Sequence, residues 1–301
     1  MRFAISQADI PNNLPSPLYS GERGGRRESD LLGGDVADKQ TPEIREKAWL
    51  ALVLALVAGC IDAVGYMVLV KLFTAHMSGN SAAAAVYTGE GSGTKAFHRA
   101  FPIPIFILGV AIGAALSETL ARSGLRRIFT VAVTLEAILL LLFLLWGGPA
   151  LANGTIPEEP AWRFYLLVAL PTLAMGIQNA TLRRVGGVTV RTTYISGMLT
   201  NVAEQTVQYL FWLRDHAAEH RGRLISLLRL STQQPSFSHG CLQLSIWFAF
   251  VVGAVAGVWA TLHWGLLSLV FPIGCLGVIA AFDLIQPIFP PRDGTHKPEW
   301  T

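Results

Sequence analysis

The sequence predicts an all-α integral membrane protein, and three observations carry that expectation. Of 301 residues, 52% are hydrophobic and only 14% are charged, where a soluble domain carries about 25% charged residues. The mean hydropathy is +0.46. The apolar residues gather into blocks of about 20, the length that crosses roughly 30 Å of hydrocarbon at about 1.5 Å per helical residue. A net charge of +3 without a basic, aromatic-interleaved stripe argues against a nucleic-acid partner. The bilayer is the expected partner, together with a small-molecule substrate.

Residues 1–46 differ from the rest of the chain. They are rich in Pro, Gly, Ser, Arg and Asp and lack the continuous apolar core of a signal peptide. Such a stretch buries too little surface to offset its ordering entropy, so it is expected to be a disordered cytoplasmic tail. The first apolar block then acts as an uncleaved start-transfer helix. Six blocks have spanning length: 49–70, 102–121, 128–146, 162–182, 242–262 and 266–285. Trp49, Trp146, Trp162, Trp247 and Trp264 lie at or near block ends, as an aromatic belt does.

Two further stretches, 78–88 and 195–212, are shorter or interrupted by polar residues. They read as re-entrant half-helices or as full spans that raise the count to eight. Lysine and arginine decide between the counts. Six spans with the N-terminus inside place Arg122, Arg126, Arg127, Arg183, Arg184 and Arg191 on the cytoplasmic side, whereas eight would place them outside. The positive-inside bias favours six. It also puts both termini, including the short tail 287–301, in the cytoplasm of a cell with the protein in its (inner) membrane. Lys71, Lys95 and Arg99 remain on the outer side.

The chain repeats itself where its residues are unusual. Gly59-Cys60-Ile61-Asp62-Ala63 matches Gly176-Ile177-Gln178-Asn179-Ala180, and Thr74-Ala75-His76-Met77-Ser78-Gly79 matches Thr192-Thr193-Tyr194-Ile195-Ser196-Gly197. Phe106-Ile107-Leu108-Gly109 with Gly113 then matches Phe250-Val251-Val252-Gly253 with Gly257. The offset grows from 117 positions at Asp62/Asn179 to 144 at Gly109/Gly253. The first repeat is thus expected at 47–148 and the second at 160–286, with a basic cytoplasmic insertion near 213–240 in the second. Its 224–230 run is a candidate amphipathic surface helix. Three spans per repeat is an odd number, so the two repeats are expected to insert upside down relative to each other, as in many secondary transporters.

These motifs resemble the YoaK-like family, multi-pass membrane proteins of unassigned function. The likeness rests on the Gly-x-x-Asp-Ala of the first block, the Thr74–Asn80 stretch, and Gln178-Asn179-Ala180 followed by Thr192-Thr193 and Ser196-Gly197. Ser78-Gly79-Asn80 stands where the family usually has Thr-Gly-Asn, which keeps the hydroxyl. The resemblance covers roughly 47–285. It implies a membrane fold and brings no known substrate.

Candidate path or proton-carrier residues follow from polarity inside apolar blocks. A carboxylate in a span costs about 2.5–3.5 kcal/mol on insertion scales and so faces an interior with a partner. Asp62 and Glu136 are the two such candidates. Asp62 reads equally as a group held by neighbouring backbone or by Asn179. Asn179 and Gln178 read as helix glue or as site lining, and Pro171 is expected to kink its helix. The Thr74–Asn80 and Thr192–Asn201 stretches place Ser78, Asn80, Thr193 and Ser196 where a helix N-terminus could face an anion, or where serine simply caps. His76 is a relay candidate or a satisfied interfacial residue. Glu118 and Asp283, near block ends, are expected to reach water.

Catalytic and metal motifs are missing: there is no His-Glu-x-x-His, Gly-x-Ser-x-Gly or P-loop. Cys60, Cys241 and Cys275 have no ligand spacing and read as small buried hydrophobes. Neither an enzyme nor a bound cofactor is expected. The primary expectation is a secondary transporter for a small solute, and its rival is a non-transporting membrane scaffold.

Overall fold

A computed structural model describes residues 29–122, 128–151, 154–158, 161–181, 195–219 and 235–286. Among these the ordered elements are helical. They are α1 Ser29–Val68, α2 Met77–Gly89, α3 Gly93–Ala100, α4 Pro102–Arg122, α5 Ile128–Gly147, α6 Ala161–Thr181 and α7 Ile195–Glu219, followed by α8 Pro235–Trp264 and α9 Val270–Ile285. Residues up to 39 belong to a separate small unit, and the bundle is built from Gln40 onward. The helix α1 begins at Ser29, so part of the stretch expected to be a disordered tail is helical, and residues 1–28 lie outside the described residues.

Five segments are long and apolar enough to cross a membrane: Ala48–Val68, Gly93–Thr119, Phe129–Ala150, Ala161–Thr181 and Ser236–Ile285. The last is 50 residues long, about 75 Å as one helix and too long for a single span. It contains α8 and α9, separated by the 3₁₀ turn Gly265–Leu269, where Gly265 takes the left-handed φ of 57°. The apolar block expected at 266–285 is thus a helix of 16 residues plus that turn.

Contacts sort the helix termini into two ends. At the lower end, Trp49 meets Phe282 edge-on at 6.0 Å, and Asp283 at the end of α9 accepts from Thr130 in the first turn of α5. At the upper end, Ile156 N–H donates to Val68 O at 2.8 Å, and the Gly265 turn faces Leu151. The long helices therefore alternate in direction: α1, α5 and α8 run upward, whereas α4, α6 and α9 run downward.

The two short-block helices behave differently. Ring contact between His76 and Phe250 at 5.3 Å sets the start of α2 at the mid-length of α8, and the helix then climbs to the upper end. α7 lies antiparallel to α8, with Gln205 against Gly240 and Tyr209 on Phe237 at 5.2 Å. Continuing that register puts Ile195 level with Phe250, so α7 starts at the same depth and descends. Its helix continues through Glu219 and α8 begins at Pro235, so both ends of the stretch read as a loop at 213–240 are helical, and 220–234 lie outside the described residues. The 224–230 run lies outside the described residues.

Glycines set the tightest helix crossings, and they pair reciprocally. On the α4–α6 crossing a Cβ on Gly176 would stand 2.5 Å from Phe106 O, one on Gly109 2.5 Å from Leu173 O, and one on Gly113 2.8 Å from Ile177 O. On the α1–α8 crossing Gly59 faces Phe250 O, Gly253 faces Leu56 O, and Gly257 would stand 2.8 Å from Cys60 O. Each partner set maps on the other by the same offsets, 117 on α1/α6 and 144 on α4/α8. Helices approach this closely only where the Cβ is missing.

Candidate functional site

The α1–α2 connection builds a polar knot inside the bundle. α1 ends with Val70 and Lys71 at φ 51° and 63°, the left-handed region that non-glycine residues rarely adopt. This reversal sends residues 72–76 back along α1, so that they reach Asp62, six residues and roughly 9 Å below the helix end. Asp62 Oδ1 accepts from Thr74 N–H (2.8 Å), Thr74 Oγ1 (3.0 Å) and Ala75 N–H (2.7 Å). Oδ2 meets His76 Nδ1 at 2.6 Å. Asp62 is 4% exposed and Thr74 fully buried, so a carboxylate replaces the water these loop donors would otherwise need.

Asn80 completes the knot from α2. Its Oδ1 accepts Phe73 N–H at 3.1 Å, and its Nδ2 donates to Phe73 O at 2.7 Å. An amide paired with both polar groups of one peptide bond is an anchor, and Asn80, buried at 1% exposure, has little left to offer a ligand. The N-cap of α2 is His76 rather than Ser78, and no side chain caps there. Ser78 is exposed, and Ser196 is likewise exposed at the start of α7. Thr193 lies outside the described residues.

Asp62 and Asn179 are not partners: all four bonds of Asp62 go to residues 74–76, and half-buried Asn179 is engaged elsewhere. Gln178 is buried, its Nε2 reaching Leu54 O at 3.5 Å while its Oε1 has no partner among the described residues. Glu136, mid-way along α5, is 1% exposed with Oε1 unpartnered among the described residues. Thr172 Oγ1, on the neighbouring α6 and similarly deep, is also unpartnered. Pro171 lies buried in α6, within a helix that continues through it.

Two expectations change. Asp283, expected to reach water, is 2% exposed and holds Thr130 N–H at 3.1 Å and Thr130 Oγ1 at the N-terminus of α5, where a carboxylate satisfies open donors and the helix dipole. The signal, a Thr in the first turn of one block and an Asp at the end of another, is too sparse to pair from sequence. Of the cysteines only Cys60 is buried; Cys241 is exposed and Cys275 half-buried.

A cleft of about 110 Å³ opens at the upper end between the α1–α2 loop, α3 and the start of α6. Its lining includes Tyr87, Lys95, His98, Arg99 and Glu158. None of these stands out as a site in the sequence.

Residues 50–282 match a family described as "Protein of unknown function (DUF1275)". The chain belongs to that family. A curated relative, "UPF0700 transmembrane protein YoaK" of Bacillus subtilis (strain 168), is 25% identical over 181 residues, covering 60% of this chain and 76% of that protein. No solved structure matches. The resemblance to the YoaK-like family holds, and the chain is an integral membrane protein of an uncharacterised family.

Proposed function

We propose that the protein is a secondary transporter for a small solute, built from two inverted repeats of three spans and not acting as an enzyme. The observation that carries this reading is the reciprocal glycine pairing: α1 crosses α8 through the residues that match those by which α6 crosses α4. Such exchange supports a pseudo-two-fold axis across the bundle. The opposite courses of α2 and α7 from one shared depth support an axis in the membrane plane, with both as re-entrant half-helices. Inverted repeats with broken helices meeting near mid-membrane are the usual ground plan of secondary transporters. Splitting 236–285 into α8 and α9 gives six spans, with Ala48, α7's C-terminus and the tail after Ile285 cytoplasmic.

Within that plan the buried carboxyl groups divide the work. Asp62 with His76 holds the half-helix in place, and Glu136, whose buried Oε1 has no partner among the described residues, is the group assigned to exchange a proton with the path. The rival scaffold reading draws on one observation: Asp62 is fully occupied by its own loop, as a static lock is.

Metabolite profiling of a deletion strain, followed by proteoliposome uptake of the solute that changes, tests the proposal. Uptake is expected with wild-type protein and is expected to be lost in Glu136→Gln. No protein-dependent uptake of any changed solute favours the scaffold. Orientation is checked separately in a background lacking Cys60, Cys241 and Cys275: Ser92→Cys is expected to react with an impermeant thiol reagent from outside, and Ser236→Cys only after permeabilisation.

A further inference from the structure

We propose that the upper-end cleft is a binding site for a phosphate-type anion, held by Lys95 and Arg99. The proposal goes beyond transport and stands whether or not solute crosses; only the statement that the cleft faces outward rests on the six-span reading. Membrane proteins keep Lys and Arg on the cytoplasmic side. At the opposite end Lys95 and Arg99 line one cleft, whereas the Lys71 ammonium lies over Tyr66 and Arg163 stands outside it. Lys95 Nζ and the Arg99 guanidinium each lie 5.7 Å from the centre of the same Tyr87 ring, so one aromatic ring attracts both positive charges.

Glu158 pairs with His98, Nδ1 to Oε2 at 3.6 Å, and among the described residues neither Lys95 nor Arg99 has an ion-pair partner. The guanidinium is held in position. Arg99 Nη1 donates to Lys71 O, a carbonyl presented by the two consecutive left-handed residues Val70 and Lys71. A β-branched residue at φ 51° is strained, and strain of this kind concentrates at ligand clamps. With one N–H spent on Lys71, the other donors of the fork and the three of the ammonium stay open. A planar fork beside a point charge suits a tetrahedral oxyanion. His98, packed on Phe164 and Tyr165 at 5.5 Å, stands at the rim with Nδ1 turned to Glu158.

The oxyanion could arrive as a free phosphate or as the headgroup of an anionic lipid, and two probes separate them. Full-length protein in detergent is unfolded thermally at constant ionic strength in chloride and in rising inorganic phosphate. In parallel it is reconstituted into nanodiscs of phosphatidylcholine with or without phosphatidylglycerol. The expected result is a rise in unfolding midpoint with phosphate, phosphatidylglycerol or both. In the Lys95→Gln/Arg99→Gln double variant the apparent affinity is expected to fall about ten-fold or more. Arg163→Gln, which removes a half-buried arginine at the same end but outside the cleft, is expected to behave as wild type. Protection by phosphatidylglycerol alone assigns the anion to a lipid headgroup, and protection by inorganic phosphate assigns it to a soluble ligand. Equal protection of wild type and double variant, or protection of neither by either probe, overturns the site. Should the double variant unfold non-cooperatively, Lys95→Gln alone, whose side chain is solvent-exposed, is expected to weaken protection about three-fold; no change there also overturns it.

Discussion

Asp62 and Glu136 are both carboxyl groups buried in apolar helices, at 4% and 1% exposure, and their surroundings are opposite. Asp62 sits where a chain reversal delivers two backbone N–H groups, a hydroxyl and an imidazole to its oxygens. Glu136 sits in mid-helix, where neighbouring N–H groups are spent within the helix, and its Oε1 has no partner among the described residues. Burial alone therefore does not define a functional acid. A buried carboxyl beside a loop is a structural keystone, whereas one facing only helices is left with unspent bonding capacity. The energetic consequences of replacing each should differ in sign as well as size.

The largest expected effect is Asp62→Leu. It strips partners from Thr74 N–H, Thr74 Oγ1, Ala75 N–H and His76 at once, and each orphaned buried group costs about 1–3 kcal/mol. Even with relaxation, a loss of about 3–5 kcal/mol is expected, read as collapse of the monodisperse peak in detergent and a large fall in unfolding midpoint. His76→Ala comes next. Only Oδ2 loses its partner, and the His76 side chain is 25% exposed, so water can enter; a loss of about 1–2 kcal/mol is expected in the same assay. Should His76→Ala match Asp62→Leu, the imidazole rather than the loop backbone holds the knot.

Asp62→Asn sharpens the contrast. An amide oxygen in the Oδ1 position can still accept all three bonds, and the amide nitrogen can donate to His76 Nδ1 in the tautomer that leaves it free. The cost is expected at about 1 kcal/mol or less, with solute uptake, where established, largely retained. Loss of uptake in a well-folded Asp62→Asn protein would return the charge-carrying role to Asp62.

How far the sequence displays these differences depends on distance along the chain. The apolar blocks, the matched Gly-x-x-Asp-Ala and Gly-x-x-Asn-Ala motifs, and the special character of the Ser78 and Ser196 segments are legible, because each is a local pattern. The bond from Asp62 to Thr74 and His76 spans only 12 to 14 positions, yet it needs a left-handed turn at Val70 and Lys71. No propensity suggests that turn, since neither residue is Gly or Asn. This is why Asp62 reads equally well as site or scaffold, and why Ser78 stands out in the sequence although Asn80 makes the bonds. Asp283 and Thr130 are 153 positions apart, beyond any local signal. The upper cleft is hidden for another reason: in the sequence Lys95 and Arg99 look like leftovers of a charge bias, and only folding shows that Tyr87 gathers them.

The smallest stability effect, and the most informative for function, is expected at Glu136. Glu136→Gln preserves length and shape and should change the unfolding midpoint by the equivalent of less than about 1 kcal/mol. Glu136→Leu should be neutral or stabilising, because it removes a buried oxygen that has no partner among the described residues and fills the same space with carbon. A residue whose replacement by leucine leaves the fold as stable or more so is not retained for stability, and a carboxyl kept inside a span at a cost is by default a functional group. Uptake lost in both variants, with both folded, would place Glu136 on the proton path. Uptake retained in Glu136→Gln would remove it from that role and leave the transporter proposal resting on the architecture. A marked destabilisation by Glu136→Leu would show that Glu136 holds a partner in the membrane, and the contrast with Asp62 would then be one of degree.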